Sequence, residues 1–227
     1  MLILNKGDIL NISQKDVKGV AGDNAEGVGF GIRKSGENSE YVVFGYDDKT
    51  STGLGKLIVE TDWAVNSFGP DEKFDVDAVA FMLGENGKCP TENEFIFYKN
   101  LIHPTGTVEH SGDSSLNGRE SGKEQIMVDL SKIPEKIASI AFTVTIYDAK
   151  NRMQNFTTLK HAVMRVLIDG TDIELCRYDI CKDFNIETAV ITGELFRKPD
   201  GWKLKIIGRG FNSELDSLCR YYGIVTV

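Results

Sequence analysis

Apolar residues in this chain come in short alternating stretches, and Gly, Asn, Asp or Pro interrupts nearly every one. Successive side chains of a strand point to opposite faces, so this spacing buries one face of a sheet and leaves the other polar. Repeated from end to end, it predicts an all-β fold, a two-sheet antiparallel β-sandwich. Strands are expected at 9–12, 57–65, 78–83, 95–98, 107–110 and 125–130. The run 140–147 is apolar on both faces and reads as fully buried. Strands 162–168 and 173–179 flank the turn Asp169-Gly170-Thr171-Asp172, a hairpin signal. Strands 188–197 and 202–208 flank Lys198-Pro199-Asp200-Gly201, where Pro presets φ and Gly tolerates a positive one. A glycine-rich hairpin is expected from 27–33 and 41–46 across 35–38. Helix is scarce. A short C-terminal helix over 213–222 carries Leu215, Leu218, Cys219 and Tyr222 at helical spacing with Gly223 just beyond. One or two helical turns are expected within 156–161.

The 227 residues suit one domain, 1–227, large enough to bury a core without staples. A net charge of -8 disfavours non-specific binding to nucleic acid or anionic membranes. The four apolar residues at the start are too few for a signal peptide, and no uncharged run approaches a membrane span. A cytoplasmic protein without direct membrane insertion is expected. Cys89, Cys176, Cys181 and Cys219 have no C-x-x-C spacing and no accompanying histidine cluster, so reduced thiols are expected rather than zinc. Gly27-x-Gly29-x-Gly31 lacks the third glycine and following helix of a dinucleotide loop. Gly53-Leu54-Gly55-Lys56 and Gly118–Lys123 fail as phosphate loops for want of spacing and a helix. Neither a nucleophile elbow nor a His-Glu-x-x-His motif occurs, and no catalytic residue is assigned. The protein reads as a non-enzyme.

The chemistry concentrates between Phe74 and Ile126. Asp75 and Asp77 stand at the entrance of an apolar strand, on one face by alternation, and repel each other unless a cation or water intervenes. A Gly/Ser/Asn-rich loop with acids, His110 to Gln125, closes the same unit. Calcium takes six to eight hard oxygens from such loops and strand ends. A solvated turn is the competing reading of Asp-x-Asp.

Phe74-Asp75-Val76-Asp77-Ala78, Phe95-Ile96-Phe97-Tyr98, His110-Ser111-Gly112-Asp113 and Glu124–Leu130 resemble the tellurium-resistance (TerD-type) stress proteins. So do Val144-Thr145-Ile146-Tyr147-Asp148-Ala149, Arg152-x-Gln154-Asn155-Phe156, Arg177-Tyr178-Asp179, Glu187-Thr188-Ala189, Gly193–Arg197 and Trp202-Lys203-x-Lys205, in the family's order. The resemblance covers Leu57 to the C-terminus plus Lys6–Ile12, and leaves about 18–56 as an inserted hairpin-like segment. It implies a β-sandwich that binds calcium at one end, in a bacterial stress response linked to tellurite resistance. It also implies protein partners in a membrane-associated stress system, and no enzymatic reaction. The ligands it implies are Asp75, Asp77, Asp113, Glu120 and Glu124, with Asn100 supplying a neutral oxygen. Asp148 is a further ligand or a turn cap. Arg119 and Lys123 add positive charge to the loop, and Lys99 stands where the family has Asn. Arg165, on an apolar strand, is expected to pair with a sandwich-end acid. The alternative is a metal-independent interaction sandwich that docks a partner through the inserted hairpin or an exposed edge.

Overall fold

The computed structural model describes residues 2–12, 14–16, 28–30, 56–66, 74–112, 121–199 and 201–225. The strands are β1 (Leu2–Ile3), β2 (Ile9–Ile12), β3 (Gln14–Asp16), β4 (Val28–Phe30), β5 (Lys56–Val65), β6 (Val76–Leu83) and β7 (Phe95–Ile96). They continue with β8 (Val108–His110), β9 (Ser121–Asp129), β10 (Ser139–Ile146), β11 (Leu159–Ile168), β12 (Glu174–Asp179), β13 (Ala189–Lys198) and β14 (Gly201–Phe211). Among the described residues two α-helices complete the set, α1 (Ala149–Arg152) and α2 (Leu215–Tyr221). One sheet, here the front sheet, runs β1-β12-β11-β5-β9-β8, and the back sheet runs β2-β14-β13-β10-β6-β7. Every pairing in them is antiparallel except β1 with β12.

The alternation seen in the sequence is what closes the sandwich. Leu57, Val59 and Trp63 of β5, Ile126 and Val128 of β9, and Val76, Ala78, Ala80 and Met82 of β6 meet in one core between the sheets. The odd-numbered residues of β6 face the other way, yet β6 and β10 are buried along their whole length. Their outer face is covered by a second core, in which Val79, Phe81, Leu83, Ala141 and Ile191 pack with Phe95, Leu218, Cys219 and Tyr222. This explains why the central strands read as apolar on both faces. The C-terminal helix is required because the back sheet has an apolar outer face to bury.

Two expectations for the N-terminal half fall largely outside the described residues. β4 pairs with β3, and the 41–46 strand expected to form a hairpin with it lies outside the described residues. The insertion at 18–56 also lies almost wholly outside them. Helical turns inside 156–161 reduce to one 3-10 turn at Phe156–Thr158, held by the Asn155 side chain accepting from the Thr157 amide at 3.0 Å.

All four cysteines are free, and three are buried. Burial pushes the Cys89 and Cys176 thiols up to about 12 and those of Cys181 and Cys219 to about 11. The thiolate is the reactive form. Iodoacetamide at pH 8 is therefore expected to alkylate the native protein at least about tenfold more slowly than an unperturbed thiol, and to label all four sites rapidly in urea. Mass spectrometry of a time course reads both rates, and fast native labelling would contradict the burial.

Candidate functional site

One end of the sandwich gathers the start of β6, the end of β10, the end of β8 and the start of β9. Register fixes this: Asp77 lies opposite Thr145, Thr145 opposite Ala189, and Trp63 of the other sheet opposite Gly122. The loop 113–120, which leaves β8 and enters β9, springs from the same end. Asp113 and Glu120 lie within that loop and outside the described residues.

Asp75 and Asp77 fall on the outer face of the back sheet, as alternation requires. Asp77 is 4% exposed and Asp75 half-buried, with the Asp75 carbonyl accepting from the Tyr147 amide at 3.0 Å. Beside Asp77, the hydroxyl of Thr145 is buried with no hydrogen-bond partner among the described residues. A buried carboxylate next to an unsatisfied hydroxyl oxygen is a donor pair of the hard type that calcium accepts.

Glu124 is placed differently. It belongs to the inward face of β9, is fully buried, and accepts the Ala78 amide at 2.8 Å. His110 is buried beside it, its Nε2 at 3.3 Å from the same carboxylate oxygen and 2.9 Å from the Ala78 carbonyl. Asn100 donates through Nδ2 to the Phe95 carbonyl at 2.7 Å, which closes the turn after β7. Asp148 precedes α1 in a left-handed conformation, φ 52°, without a side-chain cap bond. Its carboxylate accepts from Asn151 at 2.6 Å and faces the Arg152 Nε at 3.6 Å. The predicted ligands thus divide into an outer pair, an inward glutamate, and two side chains engaged locally. Among the described residues no three His, Cys, Asp or Glu side chains converge as a metal group.

Arg165 is an ion-pair residue, as expected. It lies opposite Glu60 on the outer face of the front sheet and bonds the Glu60 and Asp62 carboxylates, the latter at 3.2 Å. Glu60 also accepts from Gln125 at 2.6 Å and faces Lys123 at 3.3 Å. Lys123, which added positive charge to the loop in the sequence, is therefore directed to Glu60. His110 is the residue that sequence reasoning passed over. The signal was available: in Val108-Glu109-His110 alternation puts the imidazole on the same inward face as Val108.

The same two-layer fold occurs in a solved homologue of telluride resistance protein (TerD) from Streptomyces coelicolor A3(2). It superposes with a TM-score of 0.60 at 19% identity, covering 74% of this chain and 95% of that one. A family model described as the TerD domain matches residues 48–222. The chain belongs to the TerD family of tellurium-resistance and general stress proteins. General stress protein 16U of Bacillus subtilis (strain 168) is 41% identical over 176 residues, 78% of this chain and 91% of that protein. Tellurium resistance protein TerD of Serratia marcescens is 36% identical over the same shares of the two chains. The uncharacterized protein YceE of Bacillus subtilis (strain 168) is 44% identical, covering 78% and 92%. No helix among the described residues is long and apolar enough to cross a membrane.

Proposed function

We propose that this protein is a calcium-binding, non-enzymatic stress-response adaptor of the cytoplasm, with its cation site at the Asp75–Asp77 end of the sandwich. The observation that carries the reading is the Asp77 carboxylate, 4% exposed beside the unsatisfied Thr145 hydroxyl. A carboxylate and a hydroxyl oxygen side by side at a strand end are hard oxygens of the kind calcium takes. Asp75 and Asp77, with Asp113 and Glu120 of the adjoining loop, supply the charge that calcium neutralises, and Thr145 supplies a neutral oxygen. The partner-facing half of the proposal rests on three large apolar side chains. Tyr147 is 47% exposed, Met153 88% and Ile186 65%, all on loops of the same end. Cation occupancy and partner docking would share one surface.

Isothermal titration of the chelated full chain tests the site. Calcium is expected to bind and magnesium to bind more weakly, because magnesium demands a tight octahedron and gives up water reluctantly. Asp77→Asn is expected to weaken calcium by at least about tenfold. No heat from calcium with the wild-type chain would overturn the reading and favour the metal-independent interaction module.

A further inference from the structure

We infer that Glu124 and His110 are positioning residues that clamp both stems of the 113–120 loop onto Ala78, and that Glu124 is not itself a cation ligand. The inference deepens the proposed calcium site, and its ligand half rests on that reading.

The clamp follows from a gap in the back sheet. β7 is two residues long and pairs β6 only at Ala80 and Phe81. Along a strand, alternate residues present their N–H and C=O to the same neighbour, so Ala78 offers both groups to the side where β7 has ended. A buried backbone pair left without partners is costly. Here two side chains of the opposite sheet stand in for the missing strand. Glu124 takes the Ala78 amide at 2.8 Å, and His110 Nε2 reaches the Ala78 carbonyl at 2.9 Å. The Gly112 amide donates to His110 Nδ1 at 2.9 Å. An amide can only donate, so Nδ1 is the acceptor, and Nε2 carries the proton given to the carbonyl.

The consequence is geometric. His110 and Gly112 form the outgoing stem of the loop, and Glu124 is on the incoming strand, three residues after its first residue, Ser121. Both stems are tied to the residue that follows Asp77. Both stems therefore keep a fixed place beside the strand that carries Asp77, and supporting contacts of this kind orient the ligands of a metal site. Glu124 reaches Ala78 from inside the sandwich, whereas Asp77 projects from the outer face of the same strand. One strand of backbone separates the two carboxylates.

The test pairs a conservative and a truncating variant with two readouts. Glu124→Gln keeps an oxygen for the Ala78 amide and removes the charge. Calcium affinity by titration is expected to stay within about threefold of wild type for Glu124→Gln, and to fall about 10- to 100-fold for Glu124→Ala, as for lost positioning partners of other metal sites. Amide exchange by NMR, in chelator, is expected to show Ala78 protected in wild type and Glu124→Gln. If Glu124→Ala folds, its Ala78 amide is expected to exchange at least about tenfold faster. The histidine ring nitrogens are expected to report a neutral His110 protonated at Nε2. A Glu124→Gln loss as large as that of Asp77→Asn would make Glu124 a ligand and overturn the inference. An unprotected Ala78 amide in wild type would overturn it independently of calcium. If wild type binds no calcium, the functional reading falls, and the exchange data alone decide the clamp.

Discussion

Phe81→Ala is expected to cost about 3–5 kcal/mol, the range for emptying a buried aromatic site. Phe81 is fully buried on the outer face of the back sheet, with ring centroids 4.9 Å from Phe95 and 4.5 Å from Tyr222. The ring joins β6 to β7 on one side and to the end of α2 on the other. Its loss leaves a hole between the sheet and the short helix that covers it. For a chain of this size each kcal/mol corresponds to about 2–4 °C, so the melting midpoint is expected to fall by about 10 °C. Urea unfolding at unchanged slope measures the same loss. A cost below about 1 kcal/mol would mean that the helix layer does not belong to the cooperative fold.

Arg165→Met is expected to cost about 3 kcal/mol, because it strands a buried carboxylate. Glu60 is 3% exposed and stays so through Arg165, Gln125 and Lys123, of which the Lys123 side chain is 60% exposed and screened by water. Removing the guanidinium therefore leaves mainly one neutral donor. Glu60→Leu combined with Arg165→Met is expected to recover most of the loss, since an apolar pair on this sheet face has no charge to satisfy. Denaturant melts of the two single variants and the double variant give the coupling. Additive losses would show that the pair does not act as a unit.

Most of the sandwich was legible because burial on a sheet imposes a period that few other structures share. Strand β5 was expected at 57–65 and runs Lys56–Val65; the C-terminal helix was expected at 213–222 and runs Leu215–Tyr221. Polar strand ends were not legible. β9 begins at Ser121, four residues before the apolar signal, because Ser121-Gly122-Lys123-Glu124 is held extended by pairing with β5 rather than by its own composition. The parallel β1 escaped for the same reason, being fixed by β12, a neighbour distant in sequence. At the site, residue type was readable but direction was not. Asp77 and Glu124 are both acids near one end, yet alternation on two different strands sends one outward and the other into the core. Only the pairing of β6 with its short neighbour reveals that Ala78 needs Glu124 as a hydrogen-bond acceptor.

The central claim is that a cation completes this end of the fold, and a thermal melt of the full chain tests it most directly. The protein is chelated thoroughly, melted, then melted again with calcium restored. A ligand that binds only the folded state adds about 2.7 kcal/mol at a free concentration a hundredfold above its dissociation constant. The melting midpoint is therefore expected to rise by about 5–10 °C with calcium and by less with magnesium. Asp77→Asn is expected to lose most of that rise while melting close to wild type in chelator. A wild-type midpoint unmoved by millimolar calcium would contradict the account.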